Sequence, residues 1–184
     1  LALARAERLA PVAAAVLNNL GRLHAVAGRA AEAQQAYTEA LKLAREANAP
    51  LVFAAAAGNL GNPLLLEEGE AFLSKTNPTR ETDFARIRLA EAWGDRNLER
   101  SHALLRAALD SAENRDDALA LSWAAGHLGA LYAGAGRDAE ALALTRRAVF
   151  AAQQARADES LYRWSWQSAR LLAKAGEREA ALAA

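Results

Sequence analysis

Residues 122–156 read SWAAGHLGALYAGAGRDAEALALTRRAVFAAQQAR, and this stretch decides the fold. Ala125, Leu128, Gly129 and Tyr132 fall at offsets 0, +3, +4 and +7, one face of a helix with 3.6 residues per turn. Gly134 and Gly136 interrupt that pattern, and Arg137-Asp138 opens a second helix with Ala141, Leu144, Thr145 and Ala148 on its inward face. The spacing predicts two helices joined by one tight turn. Gly129 and Ala141 are small enough to let the two backbones approach, with larger side chains filling the space around them.

Working outward, the pattern repeats. A shift of 40 places Leu1, Leu3, Ala4 and Arg5 on Leu41, Leu43, Ala44 and Arg45, and Asn19-Leu20-Gly21 on Asn59-Leu60-Gly61. The same shift takes Leu104, Arg106 and Ala108 to Leu144, Arg146 and Ala148. It also carries Leu131, Gly136, Ala141 and Leu142 to Leu171, Gly176, Ala181 and Leu182. Such a period predicts an array of helix pairs, with units at about 12–49, 51–77, 80–114, 117–156 and 158–184. In the first unit Leu17, Leu20, Gly21 and His24 are expected on the packing face, Gly28 closes the helix, and Ala33, Tyr37 and Ala40 face back. Asn48 and Pro50 then end the second helix. Residues 1–10 are read as the tail of a preceding unit, and Ala184 as falling inside a helix.

The unit at 51–77 is degenerate. Gly58, Gly61, Asn62 and Pro63 shorten its first helix, Asn77-Pro78 stops its second, and the next unit starts about 28 residues on instead of 40. It is read as a shortened repeat that bends the array, with a flexible joint as the alternative. Beyond it, the expected order is a helix through Trp93, a turn at Gly94-Asp95, a helix from Asn97 to about Glu113, and turn and capping residues at 114–117. Asp158 is expected to cap the helix that runs to Gly176.

Composition narrows the function. The chain has 184 residues, 53% hydrophobic and 24% charged, with four prolines, which favours helix nearly everywhere. Twenty-two basic and 22 acidic side chains give zero formal net charge, which argues against a general nucleic-acid binder. There is no Cys, so disulfides, thiolate catalysis and Cys-based metal sites are excluded. The longest apolar runs, near 10–17 and 49–58, fall short of the roughly 18 residues of a membrane span. A signal-peptide layout is also missing, and the expected compartment is the cytoplasm. Without a Met at position 1, the chain is read as a piece of a longer protein.

The Leu-Gly pair, the aromatic, the glycine turn and Glu140-Ala141 together resemble the tetratricopeptide repeat (TPR). Residues 12–49 and 117–184 resemble TPR proteins of the longer-repeat kind, similar to those of kinesin light chain. Residues 142–176, LALTRRAVFAAQQARADESLYRWSWQSARLLAKAG, look like the TPR segment of bacterial CHAT-domain proteins, in which caspase-like enzymes or their relatives are fused to TPR arrays. The resemblance implies an all-α, right-handed α-solenoid of about four and a half TPR-like pairs. It also implies a bacterial scaffold that binds protein or peptide and recruits substrates or senses a partner for the caspase-like domain. The family's catalytic His and Cys belong to that other domain, so no catalytic residue is carried over.

His24, His102 and His127 lie far apart without ligand partners at helical spacing, Glu67, Glu68 and Glu70 read as a solvated face, and no nucleophile has a His-Asp pair beside it. The expectation is a non-enzyme without cofactor or metal. By the resemblance, the concave face carries Asn18, Arg22, Arg86, Trp123, Arg163, Trp166 and Arg170, with His127 one place off. Independently of the family, Arg163, Trp166 and Arg170 share one helical face at offsets 0, +3 and +7. An aromatic ring between two guanidiniums suits an extended peptide with acidic or apolar side chains, whose backbone Asn18 could bond. Trp164 and Trp166 face opposite ways, so one is core and the other inter-repeat filler or groove. Two other classes fit the same residues: the sensor array of a signalling or transcription regulator, and an architectural spacer that binds nothing. Exposed repeat ends would support weak self-association.

Overall fold

A computed structural model describes the backbone of residues 2–183 and the side chains of residues 9–183. Among the described residues there are ten α-helices and no strand. They are α1 (Ala2–Val26), α2 (Ala30–Glu46), α3 (Pro50–Leu60), α4 (Pro63–Leu73), α5 (Arg80–Trp93), α6 (Leu98–Asn114), α7 (Ala118–Gly134), α8 (Asp138–Ala155), α9 (Asp158–Lys174) and α10 (Arg178–Ala183). Two compact units divide the chain. One comprises the residues up to Asn77 together with Arg88–Arg96; the other comprises Pro78–Ile87 together with Asn97 onward.

Six connections are the same turn. Gly28, Asn48, Asp116, Gly136, Arg156 and Gly176 all have left-handed backbone, with φ of 73°, 48°, 52°, 74°, 51° and 84°. After each, the next residue donates its N–H to the carbonyl five positions back, from Arg29 to His24 (2.9 Å) through Arg137 to Tyr132 (2.9 Å) to Glu177 to Leu172 (2.9 Å). This Schellman closure satisfies carbonyls at the end of one helix and sends the chain straight into the next. Positions 28 and 48, and positions 116, 136, 156 and 176, are each spaced by 20 residues. The 40-residue shift in the sequence is therefore two helix-turn segments.

Between Asn48 and Asp116 that rhythm fails, because α3 and α4 have 11 residues each where α2, α6 and α7 have 17. Pro50 does not end α2. It stands in the first turn of α3, where its missing N–H costs nothing and its fixed φ suits a helix. Pro63 does the same for α4, behind Asn62, whose side chain accepts from the Leu64 N–H at 3.0 Å. The turn at Gly94 is 3-10, Asn97 caps α6 through the Arg100 N–H at 3.0 Å, and Asp117 caps α7 through the Ala120 N–H at 3.2 Å.

Two further boundaries differ from the sequence reading. No break separates residues 1–10 from the first unit: α1 runs unbroken from Ala2 to Val26 with Pro11 inside. Pro11 gives up one N–H bond without terminating the helix. Leu1 lies outside the described residues, as do the side chains of Leu3, Ala4 and Arg5. Asp158 is not the cap of α9. Ala157 holds that position without a side-chain bond, and Asp158 is the first helical residue, where its charge complements the helix N-terminus.

Each unit is held by small residues against large ones. In the first, a Cβ on Gly21 of α1 would lie 2.6 Å from the Tyr37 ring of α2, so only glycine admits that ring. Phe53, Leu66, Leu73, Leu89 and Trp93 complete its core, with Phe53 edge-on to Phe72 at 5.0 Å. Leu20, expected on the packing face, is instead 41% exposed, while Ala14 is buried and Gly21 makes the close contact. In the second unit the position seven residues before the turn is again glycine. A Cβ on Gly129 would meet Thr145 Oγ1 at 2.8 Å, the Ala141 carbonyl at 3.1 Å and Gln167 Nε2 at 3.1 Å. Gly129→Leu is expected to cost about 1–3 kcal/mol or more through overpacking. A thermal melt reads this as a drop of several degrees; an unchanged midpoint would contradict the α7–α8 packing described.

Candidate recognition groove

Three small residues make the groove possible. Ala130, Ala133 and Gly134 sit at offsets 0, +3 and +4 on one face of α7, and no side chain there extends beyond a methyl. Opposite them α9 presents Arg163, Trp166, Gln167, Arg170 and Lys174, enclosing a volume of about 560 Å³ with Asp138 at one end. The lining thus carries three cations against one carboxylate. Lys174 Nζ is 2.7 Å from Asp138 Oδ2, so these two charges at the end of the groove pair with each other. Trp166 is 62% exposed between them. It also lines an apolar hollow of about 360 Å³ with Ala169, Ala173 and Leu182 on its other side.

A buried aromatic cluster holds α9 in place. Trp164 is 1% exposed and lies against Gly126, where a Cβ would come within 2.1 Å of the indole. The Trp123 ring meets Trp164 edge-on at 5.6 Å and stacks on His127 at 5.8 Å; His127 meets Trp164 edge-on at 5.2 Å. The Arg163 guanidinium lies 5.5 Å from the Trp123 ring and 5.2 Å from the Trp164 ring, a geometry that favours a cation over π faces. Gln167 donates to the Gly126 carbonyl at 3.1 Å and to Thr145 Oγ1 at 2.8 Å, tying α9 to α7 and α8. Thus Trp164 is the core tryptophan and Trp166 the groove tryptophan.

The eight residues expected on one concave face do not share one environment. Arg163, Trp166 and Arg170 line the groove, and Trp123 reaches it through Arg163. His127 is buried in the cluster, because the face of α7 that it occupies is covered by Trp164. Asn18 is buried too, its Oδ1 accepting from Asn59 Nδ2 at 2.9 Å, so it is not available to a peptide backbone. Arg22 is exposed on α1, in the other unit. Arg86 is mostly covered and donates to Asp83 at 2.9 Å.

That last contact opens onto an ion network the sequence reading missed. Asp83 is fully buried; one carboxylate oxygen takes Arg86 and the other takes Arg115 at 2.6 Å. Arg115 also lies 3.6 Å from Asp117, which accepts from Arg80 Nε at 2.7 Å. Burial raises the pKa of the Asp117 carboxyl, but the Arg80 hydrogen bond, the Ala120 N–H and the charges of Arg80 and Arg115 outweigh it and leave the group below the usual carboxylate range. The network joins the start of α5 to the turn between α6 and α7 and makes no contact that suggests a ligand. Among the described residues, no group of three His, Cys, Asp or Glu could hold a metal ion. No helix among them is long and apolar enough to cross a membrane.

Fold and groove together define an all-α protein with a cationic-aromatic cleft between α7 and α9. No family model and no curated protein matches the chain. Among solved structures it is similar to BtubC (BKLC) from P. vanneervenii, with a TM-score of 0.64 at 16% identity over 100% of this chain and 88% of that one. At this identity the likeness is one of fold.

Proposed function

We propose that the chain is a TPR-like, right-handed α-solenoid that binds an extended protein segment and catalyses nothing itself. The observation that carries this reading is Trp166, a large aromatic 62% exposed between two guanidiniums in a cleft of about 560 Å³. Tryptophan and arginine are the side chains that most often dominate protein interfaces, and both are here presented on one rigid helix. The partner is a peptide with acidic side chains for Arg163 and Arg170 and an apolar one for the Trp166 ring. The 20-residue turn spacing supports the repeat reading, since each segment adds one helix to its neighbour. The likeness of residues 142–176 supports a place beside a caspase-like CHAT domain in a bacterial cytoplasmic protein, which sequencing the flanking gene tests.

A peptide-display selection against the whole chain tests the groove. Acidic peptides with an apolar anchor are expected to enrich, and Trp166→Ala with Arg170→Ala to weaken their binding by about 2 kcal/mol or more, roughly thirtyfold. Helicity and melting temperature should stay unchanged, because both side chains are exposed. Retained affinity, or loss of the fold, would refute the assignment.

A further inference from the structure

Two glycines in the first unit seat a pair of cations around one phenol. A Cβ on Gly58 of α3 would lie 2.7 Å from Arg88 Cγ, so glycine lets the Arg88 stem cross α3 closely. Gly21 likewise seats the Tyr37 ring on α1. Asn59, the residue after Gly58, donates to Asn18 Oδ1 at 2.9 Å and ties α3 to α1. Arg22 lies one turn beyond Asn18 on the same face of α1. Tyr37 is 6% exposed; burial lifts its hydroxyl above the usual phenol range, and the charges of Arg22 and Arg88 both pull against that rise. Both guanidiniums therefore act on the same oxygen, and all three residues belong to the first unit.

Other covered guanidiniums of the chain have their charge or donors met. Arg86 and Arg115 share Asp83, and Arg96 donates to the Gly61 and Ala92 carbonyls at 2.9 and 2.8 Å. Among the described residues, no carboxylate pairs with Arg22 or Arg88, and the Tyr37 hydroxyl bonds no other group. Like charges directed at one hydroxyl repel each other, a cost that an anion between them would offset. We infer that Arg22, Arg88 and the Tyr37 hydroxyl form a binding site for an oxyanion of the phosphate type. A doubly charged phosphate matches both guanidiniums, whereas a carboxylate matches one. Two guanidinium forks and a phenol O–H also supply donors for several phosphate oxygens. Free phosphate and the phosphate group of a monoester share this chemistry. The site lies in the unit that does not hold the Trp166 groove, so it stands apart from the reading proposed for that groove.

Calorimetric titration of the whole chain with inorganic phosphate, at fixed ionic strength in chloride, tests this. One site with a dissociation constant on the order of 1 mM is expected, and acetate should bind about tenfold more weakly or less. Arg22→Gln and Arg88→Gln should each weaken phosphate binding by about tenfold or more. Tyr37→Phe should weaken it by about threefold or more with helicity retained, because the ring keeps its place on Gly21. Arg170→Gln, in the groove, should leave phosphate binding unchanged. Glycerol 2-phosphate separates the two sources: affinity equal to that of phosphate assigns a monoester, and loss of binding with phosphate still bound assigns the free ion. Absence of saturable phosphate binding overturns the proposal. So does phosphate binding that survives Arg22→Gln and Tyr37→Phe in folded chains, whatever becomes of the more covered Arg88→Gln.

Discussion

Trp164→Ala is expected to destabilise the chain by about 3–5 kcal/mol, the range for removing a buried aromatic from a core. The side chain is 1% exposed, it meets both Trp123 and His127, and it fills the space over Gly126 that any other residue at that position would close. Its neighbours are helices pinned at both ends by Schellman turns, so the cavity has little room to collapse. A melting midpoint lowered by roughly 10 °C or more is the expected reading. Trp166→Ala, two residues away, should leave it nearly unmoved. Equal effects of the two changes would mean that core and groove have been interchanged.

Asp83→Ala is expected to cost about 3 kcal/mol or more, because it strips two covered guanidiniums of their shared carboxylate. Asp83 is fully buried with Arg86 on one oxygen and Arg115 on the other, and both arginine side chains are largely covered. The exposed Arg106–Asp110 pair in α6 is the control: water competes for both partners, and its loss should change stability by a few tenths of a kcal/mol at most. Chemical denaturation of both variants separates the two cases. If Asp83→Ala matches the control, the network does not hold the second unit together.

The helices and their turns were legible because their punctuation is partly chemical. Gly28, Gly136 and Gly176 announce left-handed turns, whereas Asn48 and Asp116 signal them more weakly and Arg156 adopts the same φ range with no such signal. The 20-residue spacing is therefore hidden in the sequence, and only the 40-residue shift stands out. The groove was half legible for a related reason. Offsets along α9 are enough to put Arg163, Trp166 and Arg170 together, because they concern one helix. Whether Asn18, Arg86 or His127 reaches solvent depends on what covers them, namely Asn59 from α3, Asp83 one turn back, and Trp164 from α9. Helical position carries no information about the cover that comes from another helix, though the i,i+3 spacing of Asp83 and Arg86 is readable. The small floor of Ala130, Ala133 and Gly134 has its signal in residue size, but only the packing of α7 beside α9 turns it into a cleft.

The indole N–H signals of the four tryptophans offer the most direct test of the recognition groove. On titrating the chain with a display-selected acidic peptide, the account predicts that the Trp166 indole and the Gln167 side-chain amide shift, while the indoles of Trp93 and Trp164 stay in place. A peptide that binds and moves Trp93, or residues of α1 to α4, without disturbing Trp166 would contradict it.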